Sequence, residues 1–300
     1  MSTEVTHARD DGPPLACLIC SGRLAPSALS GLMQCATCGF VTADVAITGD
    51  ELKQLYGRGY FNGEEYLDYE AEAADLRLNF LRRIDVLNRL MPNLAEATLF
   101  EIGCAYGYFL QEVRRHVRKA SGIDISADAV ARAVNEQRVD ARDADYLAFR
   151  VDGPVDVIAM WDTIEHLRRP DLFIEKAARD LKPGGLLAIT TGDIGSLNAR
   201  FRGRRWRMIH PPTHLHYFSV ETMRQLLRAH GFDVVHVSHP GNSRKLRSVL
   251  HFIMVLQANR PGLYEKLQRF PLFDLSLTVN LFDIMFVVAR RQEDIGRIPS

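Results

Sequence analysis

The sequence has no surplus of either charge: 37 lysines and arginines balance 37 aspartates and glutamates over 300 residues. A neutral chain exerts no global pull on polyanions, so any contact with nucleic acid has to be local. Long apolar runs are missing too. The longest late one, Val249–Leu256, is interrupted by His251 and falls far short of the roughly 20 residues that span a bilayer. Met1–Pro14 lacks the apolar core of a signal peptide. The expected location is therefore cytoplasmic, where thiols stay reduced. Cysteine is scarce: there are five, and four of them crowd into residues 17–38. No internal repeat or low-complexity segment stands out. With 47% apolar and 25% charged residues, the chain reads as an ordinary globular protein, long enough for one α/β domain plus a small module.

Hydrophobic spacing organises the rest. Residues 1–14 read as a disordered leader and 15–45 as a cysteine module. A helical lid or linker is expected over 46–95. Within it Leu76, Phe80, Ile84, Leu87 and Met91 recur at three- and four-residue steps, a helical stripe that Pro92 ends. Strands and helices then alternate through 96–238. Strands are expected at Thr98–Ile102, Ala120–Ile125, Val155–Trp161, Leu186–Thr191 and Phe232–Val237. Helices are expected at Phe109–Val117, Ala127–Gln137, Asp171–Leu181 and Val220–His230, the last stopped by Gly231. Such alternation predicts an α/β fold, a mostly parallel sheet with helices on both faces. Residues 239–277 read as a helical insertion and 278–300 as a last strand (Leu281–Ala289) and tail.

The loop after the first strand runs Glu101-Ile102-Gly103-Cys104-Ala105-Tyr106-Gly107. Glycines at such a turn permit backbone angles closed to other residues and let a ligand approach the main chain. A dinucleotide fingerprint places its glycines differently, and Glu101 would repel a pyrophosphate. A carboxylate there suits a cation. S-adenosylmethionine carries an ammonium and a sulfonium and no phosphate, so the charge pattern favours it over a nicotinamide dinucleotide. Asp124, about 20 residues beyond Gly103 at the tip of the second strand, is placed to accept ribose hydroxyl protons.

Glu101-x-Gly103-x-Ala105-x-Gly107 followed by Gly122-Ile123-Asp124-Ile125 resembles the first two motifs of the class I methyltransferases. Asp143-Ala144 resembles their adenine-contacting segment, Asp156–Trp161 with Glu165-His166 their fourth motif, and Leu181-Lys182-Pro183-Gly184-Gly185 the turn into their fifth strand. The resemblance covers about residues 96–238. It implies a Rossmann-like sheet and an S-adenosylmethionine site built from Glu101, Gly103, Ala105, Gly107, Asp124, Ile125, Asp143, Ala144 and Trp161. Ala105 stands where glycine is commoner, which is expected to be tolerated if its φ stays negative.

Cys17-x-x-Cys20 and Cys35-x-x-Cys38 form two knuckles 14 residues apart (21–34). Four thiolates in two close pairs match a closed, tetrahedral structural zinc site, a small ribbon with no open catalytic position. Gly22 and Gly39 suit the knuckle turns. Cys104 belongs to the cofactor loop and reads as a packing residue.

Two histidines are candidate bases, since imidazole takes protons near neutrality. His166 follows the strand ending at Trp161, at the sheet edge where open α/β folds bind ligands. His214 lies in His214-Leu215-His216-Tyr217-Phe218-Ser219. That string resembles a pattern of bacterial sugar and natural-product methyltransferases, some of which carry a cysteine-ligated zinc module. The resemblance assigns the base to His214, and Ser219 could cap the following helix. Thr213 replaces those enzymes' neighbouring glutamate, which turns the expectation from C- to O-methylation. Arg200, Arg202, Arg204, Arg205 and Arg207 surround Trp206 and could meet phosphate. Residues 244–256 could touch an anionic membrane surface. Tyr56, Tyr60, Phe61, Tyr66 and Tyr69 could form a lid. The expected acceptor is a small molecule or glycan. The rivals are an rRNA or tRNA, a quinone, lipid or polyketide, and a cofactor-binding protein without turnover.

Overall fold

A computed structural model describes residues 16–48, 51, 70, 72–251, 254–255, 260–267 and 270–293. The expected leader, the five lid aromatics and part of the 244–256 run lie outside the described residues. The zinc-module segment folds as three short antiparallel strands, β1 (Leu24–Pro26), β2 (Leu32–Cys35) and β3 (Val41–Ala43). The apolar stripe that follows becomes α1 (Ala73–Leu90), which buries Phe80, Ile84 and Leu87 and, with them, the polar Asn79 and Arg83.

The core then alternates as expected: β4 (Thr98–Ile102), α2 (Tyr108–Val113), β5 (Lys119–Asp124), α3 (Ala127–Asn135), β6 (Asp140–Asp143), β7 (Val155–Trp161), α4 (Pro170–Asp180) and β8 (Leu181–Gly192). Ser126 caps α3, its side chain accepting from Ala129 N–H, and Pro170 opens α4 where its missing N–H costs nothing. A short helix α5 (Leu197–Arg202), the two-residue β9 (His216–Tyr217), α6 (Val220–Ala229) and β10 (Phe232–Ser238) come next. Ser219 and Thr222 form a capping box at the start of α6. The chain continues through β11 (Asn242–Lys245), α7 (Leu246–His251), α8 (Pro261–Leu267), β12 (Ser276–Val279) and β13 (Ile284–Arg291).

Seven strands form the central sheet in the order β10-β13-β8-β7-β4-β5-β6. β4 to β8 pair in parallel, and β13 runs antiparallel to both neighbours. This is a Rossmann-like α/β sheet. β4, β7 and β8 are apolar and buried almost throughout, as strands covered on both faces must be. The Lys182–Gly185 turn survives as a bulge: the register with β7 jumps from Val155↔Leu181 to Val157↔Leu186. β6 is the strand that spacing missed, because its four residues, Asp-Ala-Arg-Asp, carry one apolar side chain. The 239–277 region holds two short helices, but its ends pair as a hairpin, β11 with β12. Among the described residues no helix is long and apolar enough to cross a membrane.

The small sheet does not end with the cysteine module. β9, from far along the chain, adds a fourth strand against β3, with Val41↔Tyr217 and Thr42↔His216 as partners.

Candidate cofactor and catalytic site

The strand order reverses between β4 and β7: the chain steps outward from β4 to β5 and β6, then returns to the other side of β4. Ligands of open α/β sheets bind at the carboxyl ends of strands at such a switch point. A cavity lies there, lined by the ends of β4, β5 and β7 and roofed by α1.

Glu101, at the β4 edge of this cavity, is 2% exposed, and its Oε2 has no hydrogen-bond partner among the described residues. Burial raises its carboxyl well above the usual range, the charge of Asp124 adds to this, and Arg83 opposes it. A buried carboxylate oxygen without a partner is costly, and a ligand cation would relieve it. Asp124 is held differently. Its Oδ2 accepts from Ala105 N–H at 2.8 Å and its Oδ1 from Ser126 N–H at 2.9 Å. Burial raises its pKa while those N–H groups lower it.

The loop between these acids has no room for change. Gly103 has φ +78°, and a Cβ there would lie 2.7 Å from Thr163 Oγ1. Ala105 does not keep a negative φ: it sits at +45°. The left-handed conformation is uncommon for alanine, and the bond from its N–H to Asp124 accounts for it. Gly107, at φ +77°, begins α2, where a Cβ would meet Val139 at 2.8 Å; its demand is packing, and it does not line the cavity.

Ile125, Ala144 and Trp161 line the cavity with Glu101, Gly103, Ala105 and Asp124. Asp143 does not: it is exposed, beside Asp124 in the register of β5 and β6. Trp161 packs edge-on against Phe109 with ring centroids 4.9 Å apart. Arg83 lies 4.9 Å above the Trp161 ring and 3.6 Å from Asp162. Sequence reading missed Asn79, Arg83 and Tyr146, all cavity-lining. A signal existed for two of them: Leu76, Asn79 and Arg83 follow the same helical steps as the apolar stripe, so polar side chains occupied its buried face.

Glu165 and His166 lie in a short 3₁₀ turn, Ile164–His166, just past β7. His166 lines the cavity. Its Nδ1–H donates to the Thr213 carbonyl at 2.8 Å. Burial pushes its pKa down to about 4 against the pull of Thr213 and Asp162. His214 lies behind it, ring centroids 4.6 Å apart, and is not part of the cavity wall. Its Nδ1–H donates to Met208 O at 2.9 Å, and burial, then His166 and His210, lower its pKa well below the usual value. Glu165, His166 and His214 each bring a ligand atom within 4.8 Å of the others, a spacing that could take a cation. The His166 ring, however, meets backbone on both sides, at Thr213 and Asp162. A ring engaged by backbone in this way is poorly placed to ligate a metal.

The four module cysteines bring their sulfurs within 4.8 Å of one another. Cys17 and Cys38, and Cys20 and Cys35, are each 3.5 Å apart. A tetrahedral zinc with bonds near 2.3 Å needs sulfur separations of about 3.8 Å, so the set fits a structural zinc with little movement. Gly22 supports the knuckle: a Cβ there would lie 2.6 Å from Thr37 Oγ1.

The arginine-rich segment is partly spoken for. Trp206 is buried and its Nε1–H donates to Asp283 at 2.9 Å, with Arg207 on the same carboxylate at 2.8 Å. Arg204 donates to the carbonyls of Ser30 and Ile209. Arg200, Arg202 and Arg205 stay exposed.

A family model described as a methyltransferase domain matches residues 72–237, more than half of the chain. The chain belongs to that family. A protein of Mycolicibacterium smegmatis, described as a probable S-adenosylmethionine-dependent methyltransferase, is 28% identical to this methyltransferase-domain protein over 157 residues, 52% of this chain and 59% of its own. A ubiquinone biosynthesis O-methyltransferase of Nitrobacter winogradskyi is 30% identical over 126 residues, 39% of this chain and 48% of its own. The chain thus spans about half the length of the curated relatives it matches. A crystal structure of an N-methyltransferase from Bradyrhizobium japonicum with S-adenosyl-L-homocysteine aligns at 18% identity and a TM-score of 0.46, over 71% of this chain and 86% of that one.

Proposed function

We propose that the protein transfers a methyl group from S-adenosylmethionine to a hydroxyl oxygen of a small-molecule or glycan-type acceptor. The observation that carries this is the pair of buried acids at the switch point. Glu101 offers an oxygen without a partner, and Asp124 is fixed by two backbone N–H groups. Together they favour a cationic, phosphate-free ligand with a ribose.

When bound, S-adenosylmethionine supplies an electrophilic methyl group on a sulfonium. Glu101 holds the ammonium end and Asp124 accepts from the ribose hydroxyls. Ile125 and Ala144 border the adenine. Trp161, braced by Phe109, and the α1 side chains exclude water and align the acceptor, which is the main catalytic work in an in-line displacement. His166 would take the acceptor's hydroxyl proton on the ring nitrogen that does not donate to Thr213, exchanging its Asp162 backbone contact for the acceptor oxygen. His166 is assigned this role over His214 because it reaches the cavity wall, with His214 packed behind it. The match to an O-methyltransferase supports oxygen as the acceptor atom. The ribbon cysteines are assigned one structural zinc.

Calorimetry with S-adenosylmethionine, then labelled-methyl transfer into fractionated small-molecule, glycan and RNA pools, tests the reading. Binding followed by labelling of a hydroxylated small molecule or glycan supports it. Failure to bind, or labelling confined to RNA, overturns it.

A further inference from the structure

None of the described ribbon residues lines the cavity, yet the ribbon is bonded to the loop that holds the histidines. Thr42, in the middle of β3, is 2% exposed. Its hydroxyl donates to Leu215 O at 3.0 Å and accepts from His216 Nδ1–H at 3.1 Å. Ala43 N–H also donates to Leu215 O, at 2.8 Å, and Phe40 packs on His216 with ring centroids 5.6 Å apart.

The other side of this segment faces the cavity wall. Leu215 N–H donates to Glu165 O at 2.9 Å, Tyr217 Oη–H to His214 O at 2.9 Å, and the Thr213 carbonyl accepts from the His166 ring. Residues 213–217 are therefore clamped between β3 and the turn carrying Glu165 and His166. The edge of β3, which an isolated ribbon would offer to a partner, is consumed by β9.

We infer that the ribbon is a positioning element for the His166–His214 pair, acting through Thr42 as its positioning residue. The ribbon fixes the loop, the loop places the Thr213 carbonyl, and that carbonyl holds the His166 ring through its Nδ1–H. The catalytic meaning of this chain of contacts rests on the function proposed above; the contacts do not.

The test uses the full-length, zinc-loaded protein and needs no acceptor. Thr42→Val keeps the shape and removes the hydroxyl, leaving the buried His216 Nδ1–H without its acceptor. Imidazole nitrogen NMR reads the tautomers of His166 and His214, and hydrogen exchange reads the amides of Leu215 and Tyr217. Thr42→Val is expected to mix the His166 tautomers and to speed exchange at both amides about fivefold or more. Zinc content and S-adenosylmethionine affinity should stay within twofold of wild type, and Thr42→Ser should restore both readouts. If Thr42→Val does not fold, Thr42→Ala carries the same reading. Unchanged His166 tautomer and unchanged exchange in the folded variant overturn the inference, and so does a parallel loss of cofactor affinity. Failure of wild type to bind the cofactor would instead sink the proposed function, because the NMR and exchange results do not depend on it.

Discussion

Replacing Glu101 by Gln tests the selection of a cationic cofactor directly. The side chain is buried, and one carboxylate oxygen has no partner among the described residues. Glutamine keeps the volume and removes the charge. A hydrogen bond involving an ionised group contributes about 1.5–3 kcal/mol, so affinity for S-adenosylmethionine should fall roughly ten- to hundredfold. Proton linkage makes the test sharper. Burial raises the Glu101 pKa in the free protein, whereas the ligand ammonium selects the ionised form. Binding should therefore release protons, and affinity should rise with pH through the range in which Glu101 ionises, then level off.

The stability sign follows from the same shift. A carboxyl whose folded pKa is raised favours the fold most when protonated. That contribution is lost as pH climbs from the unfolded carboxylate value through the folded one. The free Glu101→Gln protein should then melt no lower than wild type at neutral pH. Calorimetry in two buffers of different ionisation enthalpy, with a melting curve of each protein, measures all of this. A Gln variant that binds within twofold of wild type, with the same pH profile, would refute the charge argument.

Other outcomes follow from the same geometry. Asp124→Ala removes the acceptor for two backbone N–H groups and the proposed ribose contacts, so cofactor affinity should fall at least about a hundredfold by calorimetry. Ala105→Gly relieves a φ of +45° and should raise stability by roughly 0.5–1 kcal/mol in denaturant titration; a lower midpoint would mean that the alanine conformation is unstrained. Because the His166 pKa lies near 4, the proposed base is already neutral near pH 7. The acid limb of methyl transfer should therefore fall well below neutrality, and a limb near pH 6.5 would point to another group. The Cys17→Ser, Cys20→Ser double variant should lose the bound zinc by elemental analysis and melt lower than wild type, whereas zinc retention would disprove the four-cysteine site.

Much of the core was legible because its signals are local. Apolar runs of strand length, the cap at Ser219 and the stop at Gly231 are contained in a few neighbouring residues. The cysteine spacing likewise implied four ligands before any sulfur was placed. β6 escaped because Asp140–Asp143 has too few apolar residues to register as a strand. Ala105 escaped because its φ answers to Asp124, far along the chain. Arg83 and Asn79 were visible in the helical stripe only as exceptions, and the sequence did not say what their face met.

Most of the core elements, the acid–glycine loop and its charge pattern can be read from short segments, because periodicity, turn chemistry and charge are local properties. Strand packing settles which histidine reaches the cavity, leaves Asp143 exposed and outside the cavity lining, and sets β9 against the ribbon's edge. Those outcomes depend on which strands become neighbours. The sheet order brings residues 42, 165 and 215 together across long stretches of chain, and no local pattern records such a meeting.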